Sequence, residues 1–84
     1  MPAGDFRWND WNREHATKHG CTIQEIEFVV RHAGRGFPRK IGDGKRLVVG
    51  RTPSGEFIRV IFVLDPDRTT YVIHAMPVTA RRRG

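Results

Sequence analysis

The sequence predicts an α+β fold in which a short N-terminal strand and two N-terminal helices pack on an antiparallel β-meander. Three observations carry this reading. Apolar residues recur at helical spacing through Ala33, a glycine-rich break occupies positions 34–44, and three β-rich runs separated by turn residues follow. With 84 residues the chain has room for one domain, 1–84, built on one core.

Asp5-Phe6-Arg7-Trp8 alternates polar and aromatic residues, the pattern of a short strand. Asn9 or Asp10 can then accept hydrogen bonds from the free N–H groups that open a helix over 10–19. Trp8, Trp11, His15 and His19 recur at helical spacing, which predicts a packed face, and Gly20 supplies the left-handed residue that closes such a helix. Thr22-Ile23-Gln24-Glu25 is a capping box and starts a second helix. Ile23, Ile26, Val30 and Ala33 form its expected buried stripe, with Phe28 or Val29 at the margin.

Positions 34–44 lack periodicity and hold four glycines and a proline, so a mobile loop or an irregular edge is expected. Strands are expected over 45–52, 56–64 and 70–76, divided by Pro53-Ser54-Gly55 and Asp65-Pro66-Asp67-Arg68. The middle run places Phe57, Arg59, Ile61 and Val63 on one face and Ile58, Val60, Phe62 and Leu64 on the other. Both faces are largely apolar, so this strand should be central, with the helices on one side, and Arg59 breaks the pattern. In the last run Val72, His74 and Met76 should share a face opposite Tyr71, Ile73 and Ala75, and Pro77, which lacks an N–H, should end the ladder. Ala80 to Gly84 reads as a frayed basic tail.

The formal charge is +6, with an isoelectric point near 10.7, and it is unevenly distributed. Through Ala33 four Lys/Arg oppose five Asp/Glu; from Gly34 onward eleven oppose four. The second half is therefore the candidate face for a polyanion, although lysines and arginines also simply solvate a small domain. Cys21 has no partner for a disulfide, and no stretch resembles a signal peptide or a membrane span, so the cytoplasm and no membrane partner are expected.

Several chemistries find no support. His15 and His19 lie four apart, but no glutamate sits between them and no third ligand follows by spacing, so no metal is expected. Gly42-Asp43-Gly44-Lys45 is not a phosphate loop, because Arg39 stands where the first glycine belongs and Arg46 replaces Ser/Thr. Ser54 is the only serine and lies in a turn. Basic residues, histidines and one tyrosine remain, and metal-free RNA cleavage needs little more. A base removes the 2′-OH proton, cations stabilise the pentacoordinate phosphate, and an acid protonates the departing 5′ oxygen.

The order of residues adds a family resemblance. Phe6-Arg7-Trp8-Asn9, Asn12, and Lys18-His19-Gly20 followed by Thr22 and Glu25 resemble the opening of BrnT toxins, which pairs Phe-x-Trp-Asp with a helix ending Lys-His-Gly. Gly50-Arg51 and the run from Tyr71 to Thr79 before the arginines resemble the family's Gly-Arg strand and its C-terminal strand, with Met76 where many relatives have arginine. The resemblance spans nearly the whole chain. It implies a fold similar to RelE toxins and a metal-independent, cofactor-free endoribonuclease acting on mRNA. It further implies a DNA-binding, BrnA-like antitoxin that blocks the enzyme and sets the oligomeric state.

On this reading Arg51, Arg59 and His74 are the candidates for phosphate binding and proton transfer, joined by Lys18 and His19 from the family motif. Arg35, Arg39, Lys40, Lys45, Arg46, Arg81 and Arg82 are the expected RNA contacts. Each has a structural alternative: Arg51 as an edge-strand charge, His19 as a helix-end residue near the negative dipole end, His74 as a packed imidazole. The alternative for the whole chain is a catalytically degraded, basic module of the same fold. It would bind nucleic acid or an acidic protein through the 35–46 loop and the tail.

Overall fold

A computed structural model describes residues 5–78. Its first helix, α1 (Asp10–Thr17), is closed at its start by two asparagines. The Asn9 side chain accepts the Asn12 N–H at 3.0 Å while the Asn12 Oδ1 accepts the Asn9 N–H at 2.7 Å, so two of the donors a helix start leaves free are matched reciprocally. Asn12 also donates from Nδ2 to the Arg7 carbonyl at 3.0 Å and is fully buried. The packed positions of α1 are thus Asn12 and Ala16. The expected Trp11/His15/His19 face is instead its flank, since Trp11 is 50% exposed and His19 is exposed. The helix also stops two residues short of the expected end, with Lys18 as its C-cap and Gly20 turning the chain at φ +97°.

The second helix, α2 (Ile23–Arg31), starts on the expected box, in which Thr22 accepts the Glu25 N–H and Glu25 accepts the Thr22 N–H, both at 3.0 Å. Its buried residues are Ile26, Val29 and Val30, whereas Ile23 and Ala33 are only partly covered. Val29 moves from the margin to the centre because Gly50 lies opposite. A Cβ at Gly50 would stand 3.1 Å from Val29 Cγ1, so the missing side chain lets the helix settle onto the sheet.

Four strands follow: β1 (Arg39–Gly42), β2 (Lys45–Arg51), β3 (Phe57–Leu64) and β4 (Thr70–Pro77). They form one antiparallel sheet in the order β1-β2-β3-β4. One feature differs from the expectation, and another takes the second of its two expected forms. The expected N-terminal strand reduces to one parallel bridge between Phe6 and Thr70, held by Arg7 N–H to the Thr70 carbonyl at 2.8 Å and Thr70 N–H to the Asp5 carbonyl at 2.9 Å. The 34–44 segment, expected as a loop or irregular edge, contributes β1. This is a four-residue edge strand whose register shifts between Lys40 and Gly42.

The helices cover one face of the sheet, where Val48, Ile58, Val60, Phe62, Val72 and Ala75 join Ile26, Val29 and Ala16 in a single core. β3 alternates as expected and lies inside the sheet. In β4 the expected alternation fails at a bulge: Ile61 pairs with His74 but Phe62 pairs with Val72, so Ile73 is an extra residue. Val72 and Ala75 therefore both face the core, and His74 and Met76 pass to the opposite, uncovered face beside Ile61 and Arg59. Among the described residues no helix is long and apolar enough to cross a membrane.

Candidate functional site

The bulge decides where the chemistry sits. By putting His74 on the open face it sets the imidazole against His19, which follows the end of α1, with ring centroids 5.4 Å apart and planes at 68°. Arg59 is the cross-strand partner of Met76, two residues along β4 from His74, and so occupies the adjoining diagonal position on the same face. Lys18 is close enough to act electrically on His74 as well. Burial first, and then the charges of His19, Arg59 and Lys18, hold the His74 imidazole below the ordinary histidine value. Four of the five expected catalytic residues thus converge at one end of the open face, next to the α1–β4 edge.

Lys18, His19, Arg59 and His74 make no side-chain hydrogen bond or ion pair among the described residues, although ion pairs do form elsewhere, as at Arg7 and Asp65 (2.8 Å). The turn after α1 is made by Gly20, leaving the Lys18 and His19 side chains uncommitted. A neutral imidazole flanked by cations can take a proton from a hydroxyl, and the cations can hold an anionic phosphate beside it. No group of three His, Cys, Asp or Glu side chains suited to a metal ion occurs among the described residues.

Arg51, the fifth expected catalytic residue, lies on the same open face as the diagonal neighbour of Arg59, but two strands away from His74. It lies at the end of β2, paired with Phe57, and its guanidinium sits 4.9 Å from that ring's centroid. The expected RNA contacts also divide. Arg39 and Lys45 share the open face with Leu47, whereas Lys40 and Arg46 point to the helix side. There Arg46 lines a cleft of about 750 Å³ with Arg31, Arg68, Asp5 and Asp67, whose carboxylates offset part of the positive charge. Arg35 is exposed in the turn before β1. Arg81 and Arg82, with the rest of the basic tail, lie outside the described residues. Cys21 is buried, and burial pushes its thiol up, as suits a packing residue.

A neighbouring feature escaped the sequence reading. Trp11 stacks on His15 at 3.9 Å between centroids, with the planes at 19°, and lies nearly parallel to Tyr71 at 6.4 Å. Tyr71 is capped by the Arg7 guanidinium at 4.0 Å and donates its hydroxyl to Asn9 Oδ1 at 3.2 Å. The helical spacing of Trp11 and His15 was the available signal, but spacing alone does not separate a packed stripe from an exposed one. Compared with family models, curated proteins and solved structures, the chain shows no match.

Proposed function

We propose that this chain is a BrnT-like toxin of RelE-like fold, a metal-independent endoribonuclease that cleaves mRNA in the cytoplasm and is neutralised by a cognate BrnA-like antitoxin. The observation that carries the reading is the convergence of Lys18 and His19, after α1, with Arg59 and His74 on the open face of the sheet, none of them hydrogen-bonded or ion-paired through its side chain among the described residues. His74 takes the 2′-OH proton, Arg59 and Lys18 hold the phosphate as its charge builds, and His19 delivers a proton to the departing 5′ oxygen. Arg39 and Lys45 extend the cationic surface along the same face toward the sheet edge.

The antitoxin reading draws support from the same face. Phe57 is 45% exposed, and Val78, Met76 and Ile61 lie near Arg51 and Arg59, an apolar strip with positive borders that suits an acidic, amphipathic segment. Expression of the chain alone should arrest bacterial growth, and co-expression of the adjacent gene should restore it. Unimpaired growth at verified soluble expression would instead favour a basic binding module without catalysis.

A further inference from the structure

The line of side chains along α1 continues past the catalytic cluster. Trp11, His15 and His19 lie at successive four-residue steps, and β4 runs beside them, so that Trp11 meets Tyr71 and His19 meets His74. One end of this line is aromatic and the other is cationic. From Trp11 to the end of α1 at Thr17 the helical rise is about 9 Å, and His19 lies two residues beyond that end, so the two side chains are on the order of three stacked nucleotides of a single strand apart.

The half-exposed indole is not loosely placed. The His15 Nδ1 lies 2.7 Å from the Trp11 carbonyl and holds the imidazole against the indole, while Tyr71 is fixed by Arg7 and Asn9. The rings are therefore ordered before any ligand arrives, which lowers the entropic cost of stacking on them. Every nucleobase has a π-face that such a platform can accept without reading sequence.

We infer that Trp11, stacked on His15 and alongside Tyr71, is a stacking subsite for an unpaired base of single-stranded RNA, a few nucleotides from the phosphate held at Lys18, Arg59 and His74. This rests on the ribonuclease reading for the identity of the strand. The platform binds and orients the substrate and takes no part in proton transfer. Its loss therefore weakens binding and leaves the chemical step intact.

The test is tryptophan fluorescence of the full chain titrated with a 2′-O-methyl RNA hexamer, which lacks the nucleophile and cannot be cleaved, against an abasic hexamer with the same phosphates. The hexamer should quench the emission and bind roughly 5- to 100-fold more tightly than the abasic strand. Trp11→Leu should abolish both the quench and the preference, and Trp11→Phe should restore most of the affinity. On cleavable RNA, Trp11→Leu should raise KM with kcat unchanged. Equal affinity for the abasic strand, or a Trp11→Leu protein that still distinguishes the two, would overturn the subsite even if RNA is cleaved. A base-dependent quench without any cleavage would support the subsite and remove the ribonuclease reading.

Discussion

His19 and His74 are 55 positions apart in the chain, yet their imidazoles meet edge to face at 5.4 Å between ring centroids. The helix end brings one and the β4 bulge brings the other, so the pair exists only because two irregularities of the backbone coincide. Its consequences can be measured.

The first concerns proton binding. His74 has a folded-state pKa below the ordinary 6.5, from burial and then from His19, Arg59 and Lys18. Between the folded and unfolded pKa values the native state holds fewer protons than the unfolded chain. Its contribution to stability is therefore fully present above about pH 6.5 and is lost as pH falls through the folded pKa. If His74 is the base, kcat/KM falls on the same acid limb, with its midpoint below 6.5. Arg59→Gln should move the His74 titration upward in an NMR pH series, and an unchanged midpoint would detach Arg59 from the site. His74→Ala should slow cleavage by roughly 10²- to 10⁴-fold with the fold retained.

Asn12 is the second point of leverage. Its buried amide matches the Asn9 N–H and the Arg7 carbonyl and so ties the bridge segment to α1. Asn12→Ala leaves both groups without that partner and should cost about 2 to 3 kcal/mol of unfolding free energy. Asn12→Asp keeps the acceptor for Asn9 but presents an acceptor to the Arg7 carbonyl, and should also destabilise. Urea denaturation of both variants checks this, and losses within about 0.5 kcal/mol would mean that the buried network is not stabilising.

Met76 offers a gain-of-function test. It is partly exposed on the open face and lies directly across from Arg59. Met76→Arg would place a second guanidinium where a phosphate bound at Arg59 could accept from both, and should raise cleavage of a labelled RNA by tenfold or more. Like charges opposite each other on a sheet repel, so a stability loss of up to about 1 kcal/mol is expected without ligand. A melting temperature lowered well beyond that, with no gain in rate, would show that Met76 is a packing residue only.

Much of this architecture was legible from residue order. Thr22 and Glu25 announced the start of α2, Gly20 the end of α1, and the alternation from Phe57 to Leu64 the interior strand, because each signal is local. What was not legible depended on contacts distant in sequence. Val29 looked marginal until Gly50 gave it room, and the burial of Asn12 has no local signal and rests on its partners at Asn9 and Arg7. The bulge at Ile73 has no residue signature, yet it reverses the second half of β4 and carries His74 to the open face. β1 was legible only as one of two alternatives, an irregular edge, because it is four residues long and draws its order from pairing with β2. For the candidate site, Lys18, His19, Arg59 and His74 were singled out by residue type and family resemblance, and that they come together is a matter of the fold. That Arg51 borders Arg59 but lies two strands from His74 follows only from the strand register.

The most direct measurement is incubation of the purified chain with a defined RNA in EDTA, followed by analysis of the product ends. The account predicts cleavage that survives chelation and leaves a 2′,3′-cyclic phosphate or its hydrolysis product, and that is lost on combining His74→Ala with Arg59→Gln. Cleavage that stops in EDTA and returns with a divalent ion, or that persists in the double variant, would contradict it.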